Sequence, residues 1–197
     1  MRHFYGFVFF LFISASLSAD EINGVNKEKA AFRNLINGSK TVFVRFTKSQ
    51  KLKGSEKAFV EEGKIYYRKS PMLFKLEMPS ETILIKEKTI ERFLPKFNEK
   101  YVNDWDGRNP FFLYLDIPDG VIEVKKSSSN IVDIQVIRDN GTVKICYDKT
   151  KKNIKSIREE NPVCLWQTEV EAFETDVVFE KGVFDLPGDV KVVDLRK

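Results

Sequence analysis

The stretch from Gly63 to Ile85 constrains the fold most, because two prolines divide it into three runs of extended character. Pro71 has no N–H to donate and Pro79 is followed by serine, so each proline predicts a turn or a strand start. Between the prolines, side chains alternate with a period of two, which places four apolar residues on one face of a strand. These four are Met72, Phe74, Leu76 and Met78. The pattern predicts a half-buried antiparallel strand with Lys75 and Glu77 on its opposite face.

The two methionines give this predicted face an adaptable character. Methionine is flexible and polarizable, and it suits a surface that must accept apolar guests of different shapes. An alternating apolar face is nevertheless most often ordinary core. The pattern alone therefore favours a packed core, with a ligand cavity as the alternative.

The N-terminus has the layout of a secretory signal peptide. Arg2 and His3 are followed by an apolar run from Phe4 to Ile13, and then by a segment rich in small residues. Cleavage after Ser18 and cleavage after Ala19 are both compatible with this segment. The apolar run is shorter than the roughly 20 residues that a membrane-spanning helix needs. An uncleaved N-terminal anchor is the competing interpretation.

Composition limits the rest of the chain to one domain. We predict a signal peptide over residues 1–19 and a single domain over 20–197. The formal net charge is only +4, and lysines are scattered among glutamates, so nucleic-acid binding is not expected. His3 is the single histidine and lies in the predicted signal peptide. Histidine-dependent catalysis and histidine metal sites are thereby excluded, and we expect no enzyme activity, no metal and no cofactor.

The two cysteines leave two interpretations open. Cys146 and Cys164 fall in different predicted strands, and an even count in an exported chain is compatible with a disulfide. Such a bond would stabilise the fold by about 3 kcal/mol in the chain-entropy model. The alternative is a pair of buried thiols that pack as small hydrophobes.

Along the mature chain, a helix is predicted first and strands follow. The helix covers Val25 to Asn37 and ends at Gly38, and Asn109 to Leu115 predicts a short apolar helix that begins at Pro110. Asn140-Gly141 predicts a two-residue hairpin. The main strands are predicted at Thr41–Gln50, Ala58–Arg68, Met72–Met78, Thr82–Glu87, Thr89–Leu94, Val121–Lys126, Ile131–Arg138, Thr142–Tyr147, Ile154–Glu159, Val163–Phe173 and Val190–Leu195. The fold class is mainly β: a single curved antiparallel sheet forming an incomplete, half-open β-barrel covered by helices.

These segments, in this order, resemble the LolA family of periplasmic outer-membrane lipoprotein carriers. The matching pieces are Val44–Gln50, Gly63–Phe74, Glu81–Ile85, Asn109–Leu113 and the closing Phe184–Lys197. Each motif alone is weak, and their order and spacing over nearly the whole mature chain make the set fairly specific. The resemblance implies a LolA/LolB-like half-barrel whose helices act as lids over a hydrophobic cavity.

The resemblance also implies a function and a site. The chain would bind the acyl chains of lipoproteins and carry them from the inner to the outer membrane as a periplasmic monomer. An inner-membrane ABC-type lipoprotein-releasing complex would be the donor, and an outer-membrane receptor is a further candidate partner. The cavity would be lined by Met72, Phe74, Leu76, Met78, Ile83 and Ile85.

One departure from the family concerns the lid. The family has arginine directly before the proline of the Gly63–Phe74 motif, where it helps latch the lid, and Ser70 stands there in this chain. Arg68 or Lys69 would have to serve as the latch, and solvated turn charges are the alternative for both. Two functions from other classes also remain open: a periplasmic regulator that senses lipoproteins with the same half-barrel, and a structural module with a filled barrel.

Overall fold

Twelve strands form one sheet in the part of the chain that the structure describes. The structure is a computed structural model, and the described residues are 27, 30, 34, 38–107, 122–128, 130–138 and 141–196. The strands are β1 Thr41–Leu52, β2 Ala58–Arg68, β3 Leu73–Glu77, β4 Thr82–Lys86, β5 Thr89–Leu94, β6 Glu99–Asp104, β7 Ile122–Ser127, β8 Ile131–Arg138, β9 Gly141–Asp148, β10 Asn153–Glu160, β11 Cys164–Thr175 and β12 Lys191–Asp194. A 3-10 helix, Pro95–Phe97, precedes β6.

The order across the sheet is β12-β6-β5-β4-β3-β2-β1-β11-β10-β9-β8-β7. Hairpins connect β1 to β6 and β7 to β11, and the two series join where β1 pairs with β11. The sheet is curved, and its two edge strands, β12 and β7, are not paired with each other. The sheet is therefore unclosed. The predicted fold class, a mainly β half-open barrel, is therefore confirmed.

The last strand departs from the predicted antiparallel pattern. After β11, which pairs with β1 near the middle of the sheet, the chain passes to the far edge and adds β12 parallel to β6. Parallel pairing needs a longer crossover, and residues 176–190 supply it. Sequence alternation alone does not distinguish a parallel edge strand from an antiparallel one.

One face of the sheet, here called the inner face, carries the main core. Residues that face each other across antiparallel strands share a face, so Val42, Tyr67 and Phe74 lie side by side. The buried cluster continues across β1 to the second half of the sheet. Its members are Val42, Val44, Phe46, Ile65, Tyr67, Phe74, Leu76, Ile85, Val132, Ile134, Val143, Ile145, Tyr147 and Ile154.

The opposite, outer face of β3 is also covered, which corrects the prediction of a half-buried strand. Residues 177–185, here called the strap, cross this face, and Lys75 is only 7% exposed beneath them. The Lys75 ammonium donates to the carbonyls of Val183, at 2.8 Å, and Asp185, at 2.9 Å, and lies 2.7 Å from the Glu77 carboxylate. A buried charge is tolerated only when it is paired and hydrogen-bonded, and the strap supplies the partners.

The turns and helical segments agree with the sequence where they are described. Residues 69–72 form a turn around Pro71, whose peptide bond with Ser70 is cis. β8 and β9 form a hairpin, but Gly141 already belongs to β9 and pairs with Arg138, so the two-residue connection is 139–140, one residue before the predicted Asn140-Gly141. Of the predicted first helix, residues 27, 30 and 34 are helical and exposed, and the Gly38 amide donates to the Asn34 carbonyl at 2.8 Å. The helix's apolar residues and the predicted lid segment 109–115 lie outside the described residues.

The disulfide is not formed, and both cysteines are free thiols. Cys146 pairs with Ser156 on β10, which pairs with Glu169 on β11, and Cys164 lies five residues before Glu169 at the start of β11. The two Cα atoms are therefore two strand spacings apart across the sheet and five residues apart along it, which is roughly 19 Å. A disulfide needs Cα atoms within about 7 Å. Burial and the nearby Asp133 raise the pKa of the Cys146 thiol.

Candidate functional site

The inner face holds a cavity of about 330 Å³. Its wall is mainly aliphatic and aromatic, and the volume falls within the range of about 300–1,000 Å³ that is usual for small-ligand pockets. β1, β2, β3, β10 and β11 all contribute to it. The lining residues are Val44, Phe46, Lys48, Ile65, Phe74, Leu76, Met78, Ile154, Ile157, Glu159, Trp166, Thr168, Val170 and Phe173.

The cavity changes from apolar to polar along β1. Val44 and Phe46 are buried at one end, and Lys48 follows two residues later on the same face. Lys48 pairs across the strands with Thr168, and Glu159 pairs with Trp166. The polar lining residues therefore lie at the end nearer the β1–β2 turn. This arrangement suits an elongated molecule that has an apolar tail and a polar end.

A glycine allows one wall of the cavity to form. Gly63 on β2 pairs directly with Phe46 on β1, and the Phe46 ring lies over the Gly63 backbone. A β-carbon at residue 63 would lie 2.8 and 2.9 Å from the two Cε atoms of that ring, closer than real β-carbons approach other atoms. Glycine is therefore required for Phe46 to occupy this position.

Three of the six predicted cavity residues line the wall: Phe74, Leu76 and Met78. Ile85 belongs to the buried core beside Phe74, with which it pairs on β4. Met72 and Ile83 are partly buried and pack against the same core cluster. All six thus share the predicted face, but three of them support the wall from one side. Whether any of the six contacts a lipid stays a prediction.

The sequence reasoning missed the far wall of the cavity. Trp166, Thr168 and Val170 on β11, with Ile154 and Ile157 on β10, face Phe74 because β11 pairs with β1. That pairing joins residues more than 100 positions apart. The alternating Val42, Val44 and Phe46 of β1 are a local signal of an inner face, whereas β11 carries charged residues between its apolar ones and gives a weaker signal.

Arg68, one of the two predicted lid-latch residues, lies on the outer face. Arg68 shares a face with Tyr66, two residues earlier, and Tyr66 pairs with Lys75 on the outer face. The Arg68 guanidinium lies 5.5 Å from the centre of the Phe184 ring, which belongs to the strap. The sheet separates this side chain from the cavity, and the latch role of Arg68 stays a prediction. Lys69 lies in the turn after β2 and is exposed. Its latch role stays a prediction, since the lid segment is outside the described residues.

The strap forms an aromatic cluster with the outer face. Phe179 contacts Tyr66 and Phe184 with edge-on rings, at centroid distances of 5.8 and 5.5 Å. Phe43 packs on the other side of Tyr66 at 5.3 Å. Burial and the neighbouring Glu77 carboxylate raise the pKa of Tyr66. The strap thus packs on the outer face of β2 and β3, and a second, more polar pocket of about 530 Å³ lies between the strap and these strands.

The described ranges contain neither a metal-ligating cluster nor a membrane-spanning helix. Among these residues, no cluster of three or more histidine, cysteine, aspartate or glutamate side chains could hold a metal ion. Nor do they include a helix of the length and apolar character needed to cross a membrane.

The fold, with its cavity on the inner face of an unclosed sheet, is a mainly β half-open barrel. No protein-family profile matches the sequence, and no curated protein matches it significantly. Similarity to solved structures is clear at the level of the fold. An uncharacterized conserved protein from Thermus thermophilus superposes with a TM-score of 0.62 at 12% identity, covering 85% of this chain and 99% of that one.

Two further solved structures match this chain less closely. The Pseudomonas aeruginosa MucA/MucB complex matches with a TM-score of 0.52 at 12% identity, covering 85% of this chain and 63% of the matched chain. A structure described as an outer membrane lipoprotein-sorting protein domain from Vibrio parahaemolyticus superposes less well, with a TM-score of 0.44 at 8% identity, covering 83% of this chain and 97% of that one. At such identities the first two similarities indicate a common fold.

Proposed function

We propose that this protein is a periplasmic carrier that holds the acyl chains of lipoproteins in its inner-face cavity. The observation that carries the proposal is the cavity itself: an apolar space in an unclosed sheet, with its polar lining residues at one end. An acylated molecule has the matching distribution of apolar and polar groups. The predicted signal peptide is consistent with a periplasmic location.

The energetics suit a carrier that must also release its cargo. Each methylene transferred from water contributes about 0.8 kcal/mol, so ten methylenes contribute about 8 kcal/mol. Association costs of about 4–15 kcal/mol oppose this gain. The two terms are comparable, so loading and release can both occur without a large input of free energy. Transfer from an inner-membrane ABC-type complex to the outer membrane, with or without a receptor there, is the transport step that we propose.

The first experiment is native mass spectrometry of the protein purified from periplasm that contains an intact lipoprotein pathway. We expect a one-to-one complex with an acylated lipoprotein. Empty protein that also fails to take up lipoprotein from donor membranes would refute the carrier function.

A cavity variant links the bound cargo to the site. Phe74→Glu should abolish pickup, but Phe74 is fully buried, so the same change also threatens the fold. Met78 lines the cavity and is only partly buried, so Met78→Glu is the cleaner variant. Phe97→Glu, at an exposed phenylalanine outside the cavity, is the matched control. Loss of lipoprotein in Met78→Glu alone, with unchanged circular dichroism, is the expected result.

A second candidate function is a regulator that uses the half-barrel to bind a protein. The similarity to the MucA/MucB complex favours it, because there the matched fold is found together with a protein partner. A regulator would bind acylated lipoprotein without delivering it to acceptor membranes. A delivery assay with labelled lipoprotein therefore distinguishes the two functions.

A further inference from the structure

Strands β2 and β3 form a partition, one strand thick, between two spaces. On the inner face, Ile65, Phe74 and Leu76 line the cavity of about 330 Å³. On the outer face, Tyr66 and Lys75 line the second pocket, of about 530 Å³, which we call the outer pocket. Protein interiors are normally close-packed, so a strand with open space on both sides is less restrained than a strand in a packed core.

One side chain crosses the outer pocket from β3 to the strap. Lys75 is 7% exposed, and its ammonium donates to the Val183 carbonyl at 2.8 Å and to the Asp185 carbonyl at 2.9 Å. Its neighbours on β3, Phe74 and Leu76, face the cavity. The ammonium and the carbonyls are already at normal hydrogen-bond distances. An outward shift of β3 therefore pushes the Lys75 side chain against the strap.

The strap lies outside the helices and strands and is open to solvent. Its residue Val178 is 97% exposed. The Val183 amide donates to the Glu180 carbonyl at 3.3 Å. The Asp185 amide donates to the Gly182 carbonyl at 2.9 Å. A segment with exposed, local hydrogen bonds and space beneath it belongs to the part of a protein that opens most readily.

The size of the cavity determines when the partition has to move. At roughly 30 Å³ per carbon, similar to a water molecule, an octanoyl chain fills roughly 240 Å³ and a palmitoyl chain roughly 480 Å³. The shorter chain fits within about 330 Å³, and the longer chain does not. The outer pocket is the space into which the partition shifts when the longer chain enters.

We propose that a long acyl chain in the cavity pushes β3 outward and lifts the strap, so that the strap marks the loaded protein. Lifting the strap separates Phe179 from Tyr66, whose rings are in contact at a centroid distance of 5.8 Å. The outer face that a partner meets is then different in the empty and the loaded protein. This inference rests on the proposed function in one respect, namely that the cavity takes an acyl chain.

Hydrogen–deuterium exchange tests the proposal on the whole protein as it is exported. The probes are monopalmitoylglycerol and monooctanoylglycerol, which have the same uncharged head and differ in chain length. With bound monopalmitoylglycerol, we expect the strap amides of Val183 and Asp185 to exchange faster than in the empty protein. With monooctanoylglycerol at equal occupancy, their exchange should be unchanged.

Two outcomes of this experiment separate the inference from the proposed function. Unchanged strap exchange with bound monopalmitoylglycerol would overturn the coupling and leave the carrier function intact. Failure of both probes to bind would overturn the carrier function and the coupling together.

A variant of Lys75 tests the same coupling from the opposite direction. Lys75→Met removes the polar link and keeps an unbranched apolar side chain. If the acyl chain has to lift the strap, a variant whose strap is already lifted must bind that chain more tightly, because linkage is reciprocal. We expect fast strap exchange without ligand and at least about fivefold tighter binding of monopalmitoylglycerol, with binding of monooctanoylglycerol unchanged.

Lys64→Met is the matched control. Lys64 is exposed on the same outer face, where it pairs with Glu77 on β3, and it is not among the residues that line the outer pocket. Strap exchange and both affinities should stay at the wild-type values in this variant. Equal affinity for monopalmitoylglycerol in the wild type and in Lys75→Met, or the same change in Lys64→Met, would overturn the proposal. The wild-type exchange experiment needs no variant, so it decides the question even where Lys75→Met does not fold.

Discussion

Gly63→Ala tests the geometry of the cavity wall. The new methyl group would lie within 2.9 Å of both Cε atoms of Phe46, so the ring has to move. Phe46 is buried and faces the cavity, which offers the space into which it can move. The variant should therefore remain folded while its cavity shrinks.

The magnitude follows from two opposing terms. Overpacking costs about 1–3 kcal/mol, whereas replacing a strand glycine by alanine contributes about 0.5–1 kcal/mol of stability. The net effect of Gly63→Ala is a loss of about 0.5–2 kcal/mol. Phe46→Leu removes the ring atoms that clash and costs about 1–2 kcal/mol by itself. In that background Gly63→Ala should become stabilising, by about 0.5–1 kcal/mol.

Urea unfolding of the two single variants and the double variant measures this coupling. We expect the double variant to be about 1–3 kcal/mol more stable than the sum of the single effects. Binding of an apolar dye should fall in Gly63→Ala and recover in the double variant. Single effects that add within about 0.5 kcal/mol would refute the contact between Gly63 and Phe46.

Three further predictions concern the strap, a turn and the cysteines. Lys75→Ala removes the donor that the two strap carbonyls share and should cost about 2–3 kcal/mol, with faster proteolysis of the strap; unchanged proteolysis would contradict the burial of Lys75. Backbone amides of the β9–β10 turn, with Lys155, hold the pKa of Asp148 below its usual value, so its stabilising effect is complete above the unfolded-state pKa of about 3.9 and is lost as the pH falls through the folded-state value. Asp148→Asn should therefore lower the urea midpoint at pH 6 and lower it by less as the pH falls below the unfolded-state pKa of about 3.9, and a difference that does not change with pH would contradict this role. Cys146 and Cys164 should both react with a thiol reagent in denaturant without prior reduction, and the loss of both thiol equivalents, with their recovery after reduction, would contradict the free state.

Much of the strand content follows from local sequence patterns. β1, β2, β5 and β8 were predicted to within two residues, because each has alternating apolar side chains and ends at a turn residue or a proline-containing turn. A two-residue hairpin was also predicted from Asn140-Gly141, and the structure places its connection one residue earlier, since Gly141 pairs with Arg138. The strand limits and this turn depend on residues that are close together in the sequence.

Other features were beyond such reasoning, because they depend on which distant segments meet. The period of two placed Lys75 opposite Phe74, but only the strap, more than 100 residues later, makes that face buried. Local sequence likewise does not show that the Arg68 guanidinium lies over the Phe184 ring, because residue 184 is more than 100 positions away. The cysteine count allowed a disulfide, and the strand order ruled it out.

The sequence by itself determined that Phe74, Leu76 and Met78 lie on one apolar face, because alternation along a strand is a local property of the backbone. Only the tertiary structure decided that this face borders a cavity. Its far wall comes from Trp166, Val170 and Phe173, which reach that place because β11 pairs with β1. Strand pairing between distant segments depends on the burial of the whole inner face. No single segment of the sequence therefore specifies the pairing of β11 with β1.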